Sequence, residues 1–375
     1  MKLLISHLVA HSYYKNILFN TLFDSFKDFE VVFLAETRNN WEGEVDYSYM
    51  EFPYSVLFKG SKKDVPLIKM CFRLLKTLKQ KNPEIIYIGG YYGTANWIAL
   101  IWAHLNKKKI IVEMDSNVFD KKRVGVKEFI KKIFIKRCDL GLTYGETSRQ
   151  YLQKLGMPAD NIIIKPNITD NDFWETKALE YKGKRTQIID RYGFRGKNFI
   201  YVGRLSGEKN LFFLIDAFKK AKNQTPNREW GLILVGDGPQ KEQLIDHVHV
   251  DNVKDVFFVG FKKRSELPGF YSAGDVLVLP STREPWGVVI NEAMASGLAV
   301  FASRQCGCAG SLVKEDRNGC QFSPYIKEEL IDIFLKAMNN EMPLENMKGE
   351  SQNIIRQFTP LAAARDIKEA INRLQ

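Results

Sequence analysis

Short runs that are apolar at nearly every position recur along the 375-residue chain, and stretches with helical spacing separate them. A strand that is apolar on both sides must be covered on both sides, which demands a parallel sheet with helices above and below. In the first half these runs are KLLISHLV, EVVFLA, EIIYIG, KIIVEM, DLGLTY and NIIIKP. In the second half they are NFIYVG, GLILVG, DVFFVG, DVLVLP and LAVFAS. Helical patterns such as YKNILFNTLFDSF, TANWIALIWAHL and ETSRQYLQKLG fall between them. The chain is too long for one such domain, so two doubly wound α/β domains facing a central cleft are expected. Ligands then belong at the carboxyl ends of the strands. The polar stretch Thr169–Lys197 breaks the rhythm and reads as a domain linker.

The N-terminus MKLLISHLVAHSYYKN begins like a signal peptide, but histidine, serine and lysine interrupt it and no small-residue cleavage site follows. The apolar run WIALIWA is far too short for a membrane span. Five cysteines, an odd number, fit a reducing compartment. A cytoplasmic protein is therefore expected.

The net charge of +11 is uneven, with +8 on residues 1–190 and +3 on residues 191–375. It concentrates in GSKKDVPLIKMCFRLLKTLKQK, NKKK and DKKRVGVKEFIKKIFIKR. Such a field favours nucleic acid, anionic lipid or phosphorylated ligands, although lysines also simply solvate helix faces. No aromatic RNA-binding stripe is present, so nucleic acid is not an expected partner. In Val126–Arg137, Phe129, Ile130, Ile133 and Phe134 form one helical stripe flanked by Lys127, Lys131, Lys132, Lys136 and Arg137. That pattern predicts a peripheral contact with an anionic membrane on the inner face of the plasma membrane. The competing reading is a core-facing helix with a solvated basic back.

The conspicuous motifs of the second half all follow strands. NFIYVGRLSGEKN places Arg204 and Lys209 on one strand-to-helix loop, where two cations can converge on a diphosphate beside a helix N-terminus. LVGDGPQKEQL turns at Gly236 and Gly238, a pattern that is usually structural. In DVFFVGFKKRSEL, backbone groups near Gly260 and Phe261 can face a flat base. STREPWGVVINEAMASGLAV sets Glu284 in the loop after a strand and Glu292 inside the following helix, which closes at Gly297.

The order GRLSGEKN, VGDGP, YSAGDVLVLPS and EPWGVVINEAMASGLAV resembles the family-four retaining glycosyltransferases of the GT-B fold, the glycosyl transferases of group 1. Two glutamates separated by seven residues are that family's signature, and Glu284 and Glu292 match it. The match is specific from Asn198 to Ser303 and weaker elsewhere. It implies two Rossmann-like domains: 1–188 binding the acceptor, 189–359 binding a nucleotide-sugar donor, and a terminal helix, 360–375, crossing back to the first domain.

The resemblance also supplies roles. Glu292 takes the ribose diol, Glu284 the hydroxyls of the transferred sugar, and backbone N–H groups of Trp286, Gly287, Val288 and Val289 the sugar or phosphates. Arg204 and Lys209 hold the diphosphate, and Gly203, Gly236 and Phe261 complete the donor site. The implied reaction transfers a sugar from a UDP- or GDP-sugar to a glycan or lipid-linked acceptor, with retention, no protein nucleophile and no metal or other cofactor. Assembly of bacterial surface polysaccharide or glycolipid is the expected setting.

Three departures from the family stand out. The glycine pair common after the first strand is missing, and His7, His11, Tyr13 and Lys15 occupy that region, with His7, His11 and Lys15 as acceptor-side candidates. The histidine that often follows the strand KIIVEM is replaced by Glu113 and Asp115, of which Asp115 is the expected catalytic substitute. Ser311 stands where an acid often precedes Leu-Val.

Metal signatures are weak. DND at 170–172 is a literal but short match, and Cys306, Cys308, His247 and His249 lie in separate turns. A glycosidase would need its two carboxylates facing across a glycosidic bond and would have no use for a diphosphate cradle. An inactive scaffold or a sugar-nucleotide epimerase are the alternative readings.

Overall fold

A computed structural model of the chain describes residues 2–10, 12–37, 45–119, 125–226 and 229–375. Its strands are β1 Leu3–Val9, β2 Phe29–Ala35, β3 Tyr54–Val56, β4 Ile85–Gly89, β5 Lys109–Met114, β6 Leu140–Thr143, β7 Ile162–Ile164, β8 Lys197–Val202, β9 Trp230–Val235, β10 Val256–Gly260, β11 Val276–Leu279, β12 Ala299–Ser303 and β13 Gly319–Phe322. The helices are α1 Tyr13–Ser25, α2 Leu67–Lys81, α3 Thr94–Leu105, α4 Val126–Ile135, α5 Glu146–Lys154, α6 Asn171–Lys182, α7 Arg185–Tyr192, α8 Leu211–Gln224, α9 Lys241–Val250, α10 Leu267–Ala273, α11 Val288–Ala295, α12 Ala309–Leu312, α13 Lys327–Met338, α14 Leu344–Ile355 and α15 Pro360–Arg373. Among the described residues, no helix is long and apolar enough to cross a membrane.

The chain forms two compact units, Met1–Ile168 with Pro360–Gln375, and Thr169–Thr359. The first holds a parallel sheet in the order β3-β2-β1-β4-β5-β6-β7. Both its faces are covered. On one side α2, α3 and α5 bury Leu74, Leu78, Ala99, Leu100 and Leu152 with Phe134 and Ile135 of α4. On the other, Leu18, Phe19 and Leu22 of α1 pack with Ala363, Ile367 and Ile371 of α15. The second unit orders its strands β10-β9-β8-β11-β12-β13, again all parallel. Each order reverses once, between β1 and β4 and between β8 and β11. In an open α/β sheet those reversals are where a crevice opens at the carboxyl ends.

The short edge strands β3 and β13 escaped the apolar pattern. Tyr54–Val56 is partly exposed, and in Gly319–Phe322 the run is broken by glycine and glutamine.

The boundary between the units differs from expectation. The sequence placed it at 188/189 with a linker over Thr169–Lys197, whereas the units part between Ile168 and Thr169 and the linker is two helices of the second unit. Of its apolar residues Trp174 and Phe194 are buried, while Leu179 stays in solvent. Trp174 is completely buried, its indole N–H donates to Thr169 Oγ1 at 3.0 Å, and its ring meets Tyr271 edge-on at 5.5 Å. From α7, Arg185 reaches Asp275 Oδ2 at 2.8 Å. The same buried carboxylate accepts from the Asn198 N–H at 2.9 Å and from Lys348 of α14 at 2.9 Å. Asp275 thus joins α7, β8, α14 and the start of β11. Asp275→Ala should lower the stability of this unit by about 2–3 kcal/mol, since it strips hydrogen bonds from two cations and a buried N–H. Urea unfolding monitored by tryptophan fluorescence would register this as a lower midpoint with an unchanged slope.

Candidate functional site

In the second unit, the residues singled out from sequence cluster around the reversal between β8 and β11. The ends of β8 and β9 approach so closely that Gly236, at φ +143°, could not carry a side chain: a Cβ there would lie 1.8 Å from the Gly203 carbonyl oxygen. The Gly236 N–H donates to the Gly260 carbonyl at 2.9 Å. Gly236 is therefore required by backbone packing, and Gly260 is already engaged. Beyond Gly203, Tyr201 Oη donates to the Arg204 carbonyl at 2.8 Å and fixes the turn. The Arg204 side chain is exposed at the strand end, and so is Phe261.

Lys209 sits in a short 3-10 turn before α8, and its Nζ bonds Glu284 Oε2 from the loop after β11. That loop is held on both sides. The Thr282 N–H donates to the Glu208 carbonyl at 2.9 Å, and the Gly307 N–H to the Glu284 carbonyl at 2.9 Å. Cys308 N–H closes on Trp286 O at 3.2 Å. Trp286 is buried, its Nε1 donating to Asn291 Oδ1 at 2.9 Å. Gly287 adopts φ +102°, and a Cβ would press on Leu279 at 3.0 Å, so the turn into α11 needs glycine. Val288 and Val289 are half-buried in the first turn of α11, where backbone N–H groups lack intrahelical partners.

Glu292 is not a solvated helix residue. It is buried, with Oε2 accepting from Tyr271 Oη of α10 at 2.9 Å. Tyr271 in turn packs on Trp174, so the segment read as a linker braces this glutamate. Nothing in the local pattern of either tyrosine or tryptophan announces that role, because it arises between distant segments.

In the first unit, a cavity of about 430 Å³ lies at the carboxyl ends of the strands around β1 and β4. His7, Lys15 and Asp115 all line it, with Glu113, Tyr144 and the turn Gly89–Gly90. His11 lies outside the described residues. The Asn96 amide donates to the carbonyls of Gly89, Gly90 and Tyr92 at 3.1, 2.8 and 3.0 Å, which shapes the turn. The string GGYYG directly after a strand was the available signal for this loop.

Glu113 and Asp115 turn out to be unlike each other. Asp115 is exposed at the cavity. Glu113 is buried and accepts from Lys15 at 2.5 Å, Lys165 at 2.8 Å and Tyr144 Oη at 2.5 Å. Burial alone would push its carboxyl up, but the charges of Lys15 and Lys165 override this and hold it well below the usual carboxylate range. Burial pulls the Lys165 ammonium down to about 8 against the pull of Glu113. Burial, then the Glu113 charge, pushes the Tyr144 phenol up. A carboxylate so satisfied is a structural anion that fixes Lys15 at the cavity, and it leaves Asp115 as the accessible acid. Lys165 and Tyr144 were not found from the sequence, where each stands as a single polar residue at a strand end.

The metal signatures dissolve into ordinary contacts. Asp170 caps α6, accepting from the Phe173 N–H at 3.1 Å, and pairs with Arg264 at 2.9 Å. Cys306 and Cys308 are buried beside the Glu284 loop. Among the described residues, His247 instead converges with Asp216 and Asp251, where Lys327 and Lys219 already pair with the two aspartates.

The stripe expected on Val126–Arg137 is divided. Phe134 is fully buried against Trp97 at 4.9 Å, and Lys131 turns inward to Glu128 and Tyr151 at 3.1 Å each. Phe129 and Ile130 remain outside. The helix presents fewer apolar residues to solvent than its sequence implied, because the core claims one side of the stripe.

Residues 185–354 match the family model described as glycosyl transferases group 1. Alpha-D-kanosaminyltransferase of Streptomyces kanamyceticus is 21% identical over 72% of this chain and 69% of its own. Mannosylfructose-phosphate synthase of Agrobacterium fabrum is 28% identical over 56% of this chain and 47% of its own. The chain thus spans about two thirds of the first relative and about half of the second. In structure, HepE of Anabaena in complex with UDP aligns over 100% of both chains with a TM-score of 0.78 at 20% identity. Sucrose-phosphate synthase of Thermosynechococcus elongatus aligns over 100% of this chain and 99% of its own with a TM-score of 0.75 at 18% identity. Both share the fold.

The Glu113 cluster makes a stability prediction. Glu113→Gln leaves two buried or half-buried ammonium groups facing a neutral amide and should cost about 3–5 kcal/mol. Because the native carboxyl titrates below its unfolded value, its contribution is complete above the ordinary glutamate range and fades as pH falls through the native value. In thermal melts the gap between wild type and variant should therefore narrow as the pH is lowered below the ordinary glutamate range.

Proposed function

We propose that the chain, whose residues 185–354 match the group 1 glycosyltransferases and whose fold is GT-B, transfers a sugar from a nucleotide-diphosphate sugar with retention at the anomeric carbon. The observation that carries this reading is the pairing of Lys209 with Glu284 across the β8–β11 reversal, beside a Glu292 held by Tyr271. A sugar seated there takes the Glu284 carboxylate on its hydroxyls and frees Lys209 for the diphosphate. Arg204 supplies a second cation, and the first turn of α11 supplies N–H groups. Glu292, kept in one orientation by Tyr271, accepts from the ribose diol. Neutralising the phosphate as it leaves is the largest contribution such a site can make, since fixed charges need no reorganisation in the transition state.

UDP is the proposed nucleotide, with GDP as the other choice, supported by the UDP complex of the structurally similar HepE. The acceptor, a glycan or a lipid-linked molecule of bacterial surface polysaccharide or glycolipid assembly, would occupy the cavity with His7, Lys15 and Asp115. In a same-face attack the leaving phosphate takes the acceptor's proton, and Asp115 orients the sugar instead of forming a bond to it. No metal is part of this scheme. The anionic membrane contact proposed for residues 126–137 rests on the exposed Phe129 and Ile130 and on the flanking lysines.

Activity should persist in EDTA, and NMR of the product should reveal the donor's anomeric configuration. Arg204→Ala or Lys209→Ala should lower kcat by about 10²-fold or more. Glu292→Gln should instead weaken nucleotide-sugar binding by about 1.5–3 kcal/mol, read by calorimetry. An activity abolished by EDTA and restored by manganese, or an inverted product, would overturn these roles.

A further inference from the structure

Helix α3 starts without a side-chain cap, at the cavity of the first unit. Its N-cap is Gly93, at φ +86°, which has nothing to accept from the first-turn N–H groups, and that turn holds no acid. Residues 93–96 all line the cavity. The first N–H groups of a helix have no intrahelical partners, and with the helix dipole they attract an anion. A second observation points to the same occupant. Ser6 of β1 also lines the cavity and is 3% exposed, and its Oγ meets no hydrogen-bond partner among the described residues. Ser6 lies opposite Ile88 in the sheet, and β4 then runs through Gly89 into the turn that opens α3. A buried hydroxyl left unpaired is costly, and a bound group that accepts its proton removes the cost.

We propose that this end of the cavity is a subsite for a phosphoryl group carried by the acceptor, bound by the first-turn N–H groups of α3 and by the Ser6 hydroxyl. The charge of the wall agrees. Lys15 and Lys62 line the cavity against Glu113 and Asp115, and Lys165 behind Glu113 adds a third cation. Glu113 is shared by two ammonium groups, so that cluster keeps a positive charge over. With Lys62 and Asp115 offsetting each other, the wall remains cationic and suits an anion. A phosphoryl group fits better than a carboxylate. Its three terminal oxygens can take the hydroxyl and several N–H groups at once and still face a lysine. The subsite stands on Ser6 and α3 alone; only its assignment to the acceptor rests on the glycosyl-transfer reading.

Calorimetry on the full chain without a donor tests the subsite and requires no turnover. Glucose 6-phosphate should bind, with glucose and glucuronate weaker by about tenfold or more. Thr94 is exposed at the first position of α3. Thr94→Asp puts an acid there that suits the helix dipole and repels a phosphate. It should keep or raise the melting temperature while weakening glucose 6-phosphate by about tenfold or more. Ser6→Ala removes a hydroxyl that the free protein leaves unpaired, so it should not lower the melting temperature, yet it should weaken glucose 6-phosphate by about fivefold. A merely structural serine would not separate the two readouts. No binding, equal binding of glucose or glucuronate, or an affinity untouched by Thr94→Asp would overturn the subsite. So would an affinity lost in Lys209→Ala, since the phosphate would then sit in the second unit. A chain that fails these tests and still transfers sugar to neutral acceptors loses the subsite and keeps the glycosyl-transfer reading. One that binds as described and transfers no sugar keeps the subsite and loses that reading.

Discussion

Parallel strands buried on both faces leave a chain nowhere to put chemistry except at the strand ends. In the second unit, β9, β11 and β12 are buried along their whole length, and β8 is buried after Lys197. Polar residues with a task are therefore pushed into the loops at the carboxyl ends, Arg204 and Lys209 after β8 and Glu284 after β11. The reversal of strand order between β8 and β11 then parts the flanking connections and opens room between those loops. Backbone packing sharpens the effect. Only a residue without a Cβ lets the Gly203 and Gly236 segments approach as they do, and that approach sets where Arg204 begins.

Charge at the two sites is organised in opposite ways. Glu284 and Lys209 are half-buried and pair with each other, and the proposed donor would exchange their contact for its own. Glu113 is buried in the cavity wall and satisfied by two lysines and a tyrosine, so its ionisation is fixed by the fold. The first arrangement suits binding and release. The second suits holding Lys15 in place. The difference lies at the carboxylates, since Glu113 is buried among three donors while Glu284 is half-buried on a loop, and in both pairs removing one partner would strand the other.

Support for the site comes in part from a segment without a motif. Trp174 packs on Tyr271, and Tyr271 donates to Glu292, so the position of the carboxylate depends on a helix some hundred residues earlier in the chain. Asp275 works similarly, gathering Arg185, Asn198 and Lys348 beneath the start of β11. A polar composition disguised Thr169–Lys197 as a linker. Few apolar residues are needed when one tryptophan and one arginine make the decisive contacts.

The sequence by itself determined the α/β class, the longer strands, the helix from Val288 to its close at Gly297, and the placing of Glu284 in a loop and Glu292 on a helix. These follow from local rules: apolar runs, helical periodicity and the special freedom of glycine act over a few neighbouring residues and are written in them. Tertiary structure alone decided which strands neighbour each other, that Phe134 is core while Phe129 is not, that Glu113 is buried while Asp115 is exposed, and that Trp174 belongs to the second unit. Each of those depends on burial, and burial of a polar or aromatic side chain is set by partners far away along the chain. Lys165 illustrates the limit. In sequence it is one lysine among many; in the fold it is 1% exposed and bound to a carboxylate on another strand.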